Sequence, residues 1–418
     1  MRVLCLTLAA VGALGAAGAS AYDHPSRAPA QLRAASPRSQ ISPYWNASDE
    51  GQPAHAPSVS EAYPAEVGHE GAYEGGPDGN CGDDCYQDAM CNECCDDCCY
   101  NWYGSLAALI MTRDRGNKVF TTYDNNDINN QVFHTQEADV DWEGGFEFTV
   151  GRRICCTHGL EFTYWTLDRL ESSANYYSAT DEISTPLNVG FLEFDGQPAA
   201  NFFDSAREHR ISRENEVHSL ELNLVQLPFD SCGGLNVSYM LGVRYFRFNE
   251  DLTFASVAGG SEFGDDPANE VYLEVDAHNS LIGFQMGARA DYSLTSGFRL
   301  FGIPKVGVYY NRIEEVVRLR TGNGVDGLTV APATAYSFPR DGAKDDVAFL
   351  AQLDLGAEYD LTCNCTVFGG YRAVAISGVA LSDQQIPAIL ADVPEWEDID
   401  SNGHVILHGA FGGVEFRY

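Results

Sequence analysis

The chain ends with the 15 residues His404–Tyr418, which read HVILHGAFGGVEFRY and have the pattern of a β-strand. Since successive strand residues point to opposite faces, one face is apolar with an aromatic end, and the other carries a Glu and an Arg. The first face consists of Ala410, Gly412, Val414, Phe416 and Tyr418, and the second of Phe411, Gly413, Glu415 and Arg417. This pattern is typical of the last strand of a membrane β-barrel, which pairs with the first strand and leaves no edge in lipid. A C-terminal strand of an ordinary β-sandwich is the alternative.

The N-terminus has the pattern of a secretory signal peptide over residues 1–21. Arg2 precedes the apolar run 3–18, which is followed by the cleavage pattern Ala19-Ser20-Ala21. Residues 22–80 form a leader rich in Pro, Ala and Gly that we expect to be disordered. Residues 81–99 are rich in cysteine, and residues 100–418 carry the alternating pattern of strands. No later stretch is apolar for the roughly 18 residues that a membrane-spanning helix needs, so any crossing uses strands.

The composition is strongly acidic, with 60 Asp and Glu against 25 Lys and Arg and a formal net charge of −35. This charge disfavours nucleic acid and other polyanions as partners, and it disfavours docking on an anionic membrane surface. The 41 Gly, 22 Phe and 21 Tyr are typical of β-barrels, although many extracellular β-proteins share them.

Ten segments alternate strongly between apolar and polar residues. They are 102–112, 142–151, 158–168, 217–226, 235–248, 280–294, 298–311, 347–361, 365–378 and 404–418. Their connections alternate between long and short, as in barrels with long extracellular loops and short periplasmic turns. The sequence therefore predicts an all-β, up-and-down antiparallel transmembrane barrel of about 10 strands, or about 12 if a loop hides a hairpin. We expect 251–257, 270–276 and 313–320 to prolong strands, and a bulge at Pro304, which lacks a ladder donor.

If the apolar faces meet lipid, a set of charged residues points into the lumen. The acids are Glu143, Glu147, Glu161, Glu221, Asp291, Asp354, Glu358 and Glu415, and the bases are Arg244, Arg289, Arg299, Lys305, Arg372 and Arg417. Since acids and bases nearly balance and an unpaired buried charge is costly, one interpretation is an ion-pair network that plugs and stiffens the barrel. The other interpretation is a narrow, weakly cation-selective pore.

Every cysteine after the signal peptide falls at the periplasmic end of this topology. Cys81, Cys85, Cys91, Cys94, Cys95, Cys98 and Cys99 precede the first strand, Cys155 and Cys156 lie in the first short turn, Cys232 in the second, and Cys363 and Cys365 in the fourth. Two CxxC pairs suggest a metal site, but an oxidising compartment favours disulfides. Seven leader cysteines cannot all pair among themselves, so at least one reaches a turn, reaches another chain or stays free.

The sequence contains little that indicates catalysis. His158, His218, His404 and His408 lie on or beside strands without a recognisable nucleophile motif, and we expect no enzyme activity and no cofactor. The long loops are acidic. The oxygen-rich run 124–129 is a weak Ca²⁺ candidate without the Gly and distal Glu of a full loop motif, and a solvated, mobile loop is the alternative.

The leader, the cysteine cluster and three further segments together carry a resemblance to a known family. The segments are NWYGSLAALIMTRDRGN (101–117), GRRICC (151–156) and FGGVEFRY (411–418). Over about residues 100–418 the chain resembles the predicted outer-membrane β-barrel proteins of planctomycete-type bacteria. The resemblance implies an integral outer-membrane barrel, with pore-forming members in related families and no assigned catalytic residues. It also implies cross-linking of the cysteine-rich segment to other envelope proteins. The end with Val414, Phe416 and Tyr418 resembles the signal that barrel-assembly machinery recognises.

We therefore expect an integral protein of the bacterial outer membrane that acts as a small porin-like channel or as a structural envelope protein. Its expected partners are outer-membrane lipid, the barrel-assembly machinery and other cysteine-rich envelope proteins, and its leader would be disulfide-bonded in the periplasm. The alternative is a secreted or surface β-domain that binds a partner through its acidic loops.

Overall fold

The computed structural model describes residues 102–155, 157–226, 234–295, 297–330 and 336–417. The predicted signal peptide, leader and cysteine-rich segment, together with Cys156, Cys232 and Tyr418, lie outside the described residues. Within these ranges, no helix has both the length and the apolar character that a membrane span requires.

Ten long antiparallel strands form a closed barrel. They are β1 (Trp102–Arg113), β2 (Glu143–Cys155), β3 (His158–Tyr177), β4 (Glu208–Gln226), β5 (Leu235–Val257), β6 (Glu270–Thr295), β7 (Phe298–Thr321), β8 (Arg340–Thr362), β9 (Cys365–Val379) and β10 (Gly403–Arg417). Each strand pairs with its neighbours in sequence, and β1 pairs with β10 from Tyr103 opposite Arg417 to Arg113 opposite Leu407. The predicted up-and-down barrel is confirmed, with ten strands.

The two ends of the barrel differ. One end carries the short turns, the start of β1 and the end of β10, and is named the turn end. The other carries the long connections and is named the loop end. In outer-membrane barrels, short turns face the periplasm and long loops face outward. The turn end is therefore assigned to the periplasmic side.

The predicted extensions at 251–257, 270–276 and 313–320 are present in β5, β6 and β7. The predicted bulge at Pro304 is wrong. The pairing of β6 with β7 passes from Gly287–Lys305 to Ala290–Gly302, and the register is the same on both sides of this gap. Proline has no N–H to donate, so the ladder is interrupted at Pro304 without an inserted residue.

The outward faces of β4 to β8 change character at one row of paired residues. This boundary row consists of Leu220, Tyr245, Ile282, Tyr310 and Val347, all of them exposed. The next outward row toward the loop end consists of His218, Arg247, Ser280, Arg312 and Asp345. Exposed apolar side chains belong in lipid and charged ones in water, so the boundary row marks the outer limit of the membrane band.

Strands β3 to β8 continue past the boundary row and form a tall wall, whereas β1, β2, β9 and β10 are shorter. Beyond the boundary row, the outward face of this wall carries polar and charged residues, whereas its inner face carries a set of buried apolar residues. Ile211, Phe254, Leu273, Val317 and Leu319 of the wall pack with Phe133, Leu192, Phe194, Phe203 and Trp396 of the long connections. The connections therefore fold against the wall as a cap with its own hydrophobic core.

The cap contains short elements of its own. They are the strands Phe120–Asp124, Asp127–His134, Ile183–Ser184, Leu192–Phe194, Gln197–Pro198 and Leu328–Thr329, the α-helices Ala200–Phe203 and Val393–Glu397, and the 3-10 helices Thr135–Glu137 and Pro267–Asn269. The oxygen-rich run 124–129 forms the tip of the first hairpin, where Asp124 accepts a hydrogen bond from the backbone of Asn126. Among the described residues, no group of three or more His, Cys, Asp or Glu is arranged to hold a metal ion.

Candidate functional site in the barrel lumen

A layer of large apolar side chains fills the middle of the lumen and is named the lumen seal. Its centre is formed by Trp165 of β3, Phe246 of β5 and Tyr309 of β7, each at most 1% exposed. Around them pack Leu109, Met111, Val217, Leu281, Leu350, Val374, Leu407 and Phe411. Protein cores pack with few voids larger than a water molecule, so this layer separates the turn-end half of the lumen from the loop-end half.

Two arginines flank the central tryptophan. The guanidinium carbons of Arg372 and Arg244 lie 5.6 and 5.9 Å from the centre of the Trp165 ring. A guanidinium over an indole face is attracted by the ring quadrupole, and the attraction is stronger where water is excluded. Both arginines are buried, so the lumen seal is joined directly to the charged residues on its turn-end side.

Glu221 is the centre of the deepest ion-pair group. Its carboxylate accepts a hydrogen bond from Lys305 Nζ at 2.8 Å and lies 3.4 Å from Arg244 Nη1. Gln285 Nε2 donates to the same carboxylate at 2.8 Å. The Glu221 side chain is fully buried, and one carboxylate with two cations and an amide donor satisfies charges that could not be buried alone.

A second group surrounds Arg372. Its guanidinium donates two hydrogen bonds to Asp354, at 2.9 and 2.8 Å, and one to Glu147 at 2.5 Å. The two bonds to Asp354 form the bidentate arrangement that fixes both orientation and position. Gln352 Nε2 also donates to Asp354, at 3.0 and 3.1 Å, while its Oε1 accepts from Arg244, so the two groups are connected.

The third group lies nearer the turn end and is more exposed. Arg289 pairs with Asp291 at 2.9 Å and with Glu358 at 2.6 Å. Arg299 pairs with Glu358 at 2.5 Å and with Asp360 at 2.6 Å. At the end of β10, Arg417 pairs with Glu415 at 2.8 Å. Because these pairs are partly exposed, solvent screens their charges more than those of the buried pairs above them.

Of the 14 charged residues placed in the lumen from the sequence, the structure brings all into ion pairs with other described residues except Glu143 and Glu161. Glu161 instead accepts a hydrogen bond from the Tyr103 hydroxyl at 2.9 Å. Glu143 lies on β2 opposite Met111, close to the start of the strand. Ion pairs therefore connect most of the charged side chains in this part of the lumen.

The sequence reasoning missed a second charged cluster on the loop-end side of the lumen seal. Arg113 and Arg213 both donate to Glu250 at 2.7 Å, and Arg213 also donates to Asp383 at 2.9 Å. All four side chains are almost fully buried. The predicted strand began at residue 217, whereas β4 begins at Glu208. Arg213 lies in this unpredicted part and faces inward like Glu221, from which it is separated by an even number of residues.

Asp383 belongs to the connection between β9 and β10, whose first residues cross the lumen to the opposite wall. The segment 378–383, which consists of the last two residues of β9 and the first four of this connection, is named the strap. Asn311 donates to the Gly378 carbonyl at 2.9 Å, and Asn279 donates to the Ala380 carbonyl and accepts from its N–H, both at 2.8 Å. Ser382 N–H donates to Glu250 at 3.0 Å. The inward polar side chains of β5, β6 and β7 therefore satisfy the strap's backbone.

The electrostatic environment of Asp383 combines opposing effects. Burial raises the pKa of its carboxyl group, and the neighbouring Glu250 raises that pKa further. Arg213 and a hydrogen bond from Asn117 lower the pKa of Asp383. The net shift is upward, which reflects two carboxylates close together in a buried site.

A cavity of about 130 Å³ lies on the turn-end side of the lumen seal. Charged residues of the ion-pair groups line it together with Tyr103, Glu161 and the rings of Phe301, Phe368 and Phe411. The cavity is the open space of the lumen that the side chains leave unfilled on this side. Its mixed polar and aromatic walls make it the candidate binding site of the barrel.

The other residues singled out from the sequence fall outside the lumen. Cys155, Cys363 and Cys365 lie at the turn end, where Cys365 is a free thiol. Phe416 is exposed on the outward face of β10. His218 contacts Tyr164 and Thr166 on the outside of the barrel, and His408 lies 2.7 Å from the Tyr371 hydroxyl. These histidine contacts are structural hydrogen bonds.

A closed barrel with an apolar outward band and a polar interior defines an outer-membrane β-barrel. Residues 104–394 match the family described as "Putative beta barrel porin-7 (BBP7)", and the chain belongs to this family. The predicted membership in a family of outer-membrane β-barrel proteins is thereby confirmed. A porin family points to a non-enzymatic function. Among curated proteins, none matches the sequence.

Solved structures of outer-membrane proteins are similar to the chain at low sequence identity. The outer membrane protease OmpT of Escherichia coli is 10% identical, with 76% of this chain and 97% of OmpT covered and a TM-score of 0.38. A major outer membrane protein of Thermus thermophilus is 10% identical, with 76% and 99% covered and a TM-score of 0.29. A Pseudomonas aeruginosa FadL homologue is 9% identical, with 76% and 90% covered and a TM-score of 0.24.

Proposed function

We propose that the protein is a structural barrel of the outer membrane whose lumen does not conduct. The observation that carries this proposal is the lumen seal, in which Trp165, Phe246 and Tyr309 are buried at the centre of a layer formed by side chains from opposite walls. The side chains that form the seal come from the barrel strands and not from a loop alone. Opening it requires rearrangement of buried side chains that are joined to Arg244 and Arg372.

The test is conductance in a planar lipid bilayer. The purified, folded protein is expected to give no conductance steps, whereas a porin of established conductance in the same bilayer is expected to give them. The second measurement shows that the assay detects an open barrel. Regular steps from the unaltered protein would overturn the proposal and favour the channel function that the family description suggests.

This function requires an outer-membrane barrel, and the alternative is a secreted or surface β-domain. Membrane fractionation combined with a heat-modifiability gel separates these alternatives. We expect the protein in the membrane fraction, and we expect the unboiled barrel to migrate faster than the boiled chain. A soluble protein without a mobility shift would favour the alternative, in which the acidic loops bind a partner.

We further propose that the exported chain loses residues 1–21 and carries a disulfide-bonded leader at the turn end. Support comes from the position of Trp102, where the described chain enters the barrel beside the turns that hold Cys155, Cys363 and Cys365. Non-reducing gels of whole envelopes test for cross-links to other cysteine-rich proteins, and a monomer that reductant leaves unchanged would exclude intermolecular disulfides.

The end of β10 is proposed to act as the assembly signal. Val414 and Phe416 lie on the outward face, opposite to Glu415 and Arg417, and Phe416 is exposed next to the turn end. Deleting residues 416–418 is expected to abolish membrane insertion and to leave export intact. Normal insertion of the truncated chain would show that recognition by the barrel-assembly machinery does not depend on these residues.

A further inference from the structure

We infer that the cavity on the turn-end side of the lumen seal binds a small organic ammonium ion that carries an apolar group. The cavity has a volume of about 130 Å³. An engineered protein cavity of roughly 150 Å³ accommodates benzene, so a ligand of about that size is appropriate. The inference concerns the cavity alone, and it does not depend on whether the lumen conducts.

The charge of the walls selects a cation. Five acidic residues and three basic residues line the cavity, an excess of two negative charges. Four of the five acids have a basic partner, as described above. Among the described residues, Glu161 is the lining carboxylate without an ion pair, and a bound cation would supply the missing charge.

Glu161 is held in position for such a ligand. The Tyr103 hydroxyl donates to Glu161 Oε2 at 2.9 Å, and the two residues come from different strands, β1 and β3. A carboxylate that already accepts one neutral hydrogen bond can accept further ones from an ammonium group, since each ionised oxygen offers more than one acceptor site. The charge-assisted bond to an ammonium group is stronger than a neutral one.

The remaining walls favour an organic cation over a metal ion. Phe301 and Phe368 each lie with ring centres 6.3 Å from Phe411, and these three rings form one side of the cavity. The guanidinium carbons of Arg289 and Arg372 already lie 5.0 and 5.4 Å from the ring centres of Phe301 and Phe411, so these rings serve the ligand as apolar surface, and its charge is left to Glu161. In the described ranges, the carboxylates are not grouped closely enough for three of them to hold one metal ion.

The gradient of exposure gives the route of entry. Lys305 and Glu221, next to the lumen seal, have side chains that are 9% and 0% exposed. Nearer the turn end, Arg289 and Arg417 are 30% and 31% exposed. The ligand would therefore enter from the periplasmic side, and the lumen seal would stop it from going further.

The experiment is isothermal titration calorimetry on the full-length folded protein in detergent, with benzylammonium chloride as the probe. We expect saturable binding of this cation, and we expect no measurable binding of benzyl alcohol or benzoate, which have the same ring without the positive charge. Equal binding of benzyl alcohol would overturn the inference, as would the absence of any heat with benzylammonium. Binding of MgCl₂ in place of the amine would overturn the assignment to an organic cation.

Variants locate the site. Glu161→Gln is expected to weaken benzylammonium binding by at least about tenfold, because the amide carries no charge. Ser105→Leu leaves the carboxylate in place and fills the cavity, so it is expected to abolish binding as well. Glu314→Gln, at a side chain 61% exposed on the outside of β7, is the control and should bind as the unaltered protein does. Heat modifiability verifies the fold of each variant, and unchanged binding by both folded cavity variants would overturn the inference.

Discussion

Asp383 accepts a hydrogen bond at 2.9 Å from Arg213, which lies 170 residues earlier in the chain and on the opposite wall of the barrel. Their contact fixes the strap across the lumen, just above the lumen seal. Arg213 also donates to Glu250, so one guanidinium holds two buried carboxylates. The strap is thus attached through a charged cluster whose members cannot be removed singly without leaving a charge unpaired.

Replacing Arg213 with Met is therefore expected to lower the free energy of unfolding by about 3–5 kcal/mol, since it leaves Asp383 and Glu250 without this partner in a buried site. The measurement is urea unfolding of the refolded barrel in detergent. Arg115→Ala provides the control, because Arg115 is 73% exposed and its pair with Asp139 should contribute less than about 1 kcal/mol. A loss no larger than that of the control would show that the cluster does not hold the strap.

The pair of Glu221 and Lys305 allows a double-mutant cycle in the deepest part of the network. Each single change, Glu221→Gln or Lys305→Met, removes one member of a 2.8 Å buried pair and is expected to cost several kcal/mol. The double variant is expected to be more stable than the sum of the single effects predicts, because it leaves only Arg244 without the Glu221 carboxylate, whereas Glu221→Gln alone leaves both Arg244 and Lys305 without it. Strictly additive losses, measured by the same unfolding experiment, would mean that the two charges act independently.

The membrane band predicts a position-dependent cost for charge on the outward face. Phe284 is 78% exposed on β6, within the apolar band, so Phe284→Lys is expected to destabilise the folded barrel in lipid by about 2–4 kcal/mol. Val316→Arg is the matched control, since Val316 lies on β7 beyond the boundary row and opposite Asp276. Equal losses for the two variants, measured by unfolding from lipid vesicles, would place the boundary elsewhere.

Periodicity predicted the barrel well because strand alternation depends only on neighbouring residues. The change from apolar to charged residues that marks the boundary row can be read in the same way, for example from Tyr310 to Arg312 on β7. The number of strands followed from counting the segments that alternate between apolar and polar residues, and the alternation of long and short connections indicated the up-and-down topology. By contrast, the interrupted ladder at Pro304 was wrongly expected to contain a bulge, since the sequence does not give the register of the neighbouring strand.

The cap and the strap could not be predicted, because they depend on contacts between residues distant in sequence. Asp383 appeared to belong to an acidic, solvated connection, and only the closed barrel brings Arg213 and Asn117 to it. Trp165 has the same limitation. Its place in the alternating pattern shows which side of the strand it lies on, whereas its contacts with Arg244 and Arg372 require the curvature of the whole barrel.

Glu315 gives the barrel a stability that depends on pH near neutrality. It lies on β7 five residues beyond Tyr310, outside the membrane band, and is 3% exposed. Among the described residues, neither carboxylate oxygen of Glu315 has a hydrogen-bond partner. Burial raises the pKa of Glu315 from 4.5 to about 8. Between these two values the folded chain keeps a proton that the unfolded chain has lost, so stability falls as pH rises through this window.

Replacing Glu315 with Gln is expected to remove this dependence. The free energy of unfolding of the original chain should fall relative to that of Glu315→Gln by about 1.4 kcal/mol per pH unit between pH 4.5 and about 8, and the difference should then level off. Unfolding in urea at a series of pH values measures it. Glu314→Gln, at the neighbouring exposed position, should run parallel to the original chain. If the curve of Glu315→Gln is also parallel, Glu315 is ionised in the folded barrel and a partner must neutralise it.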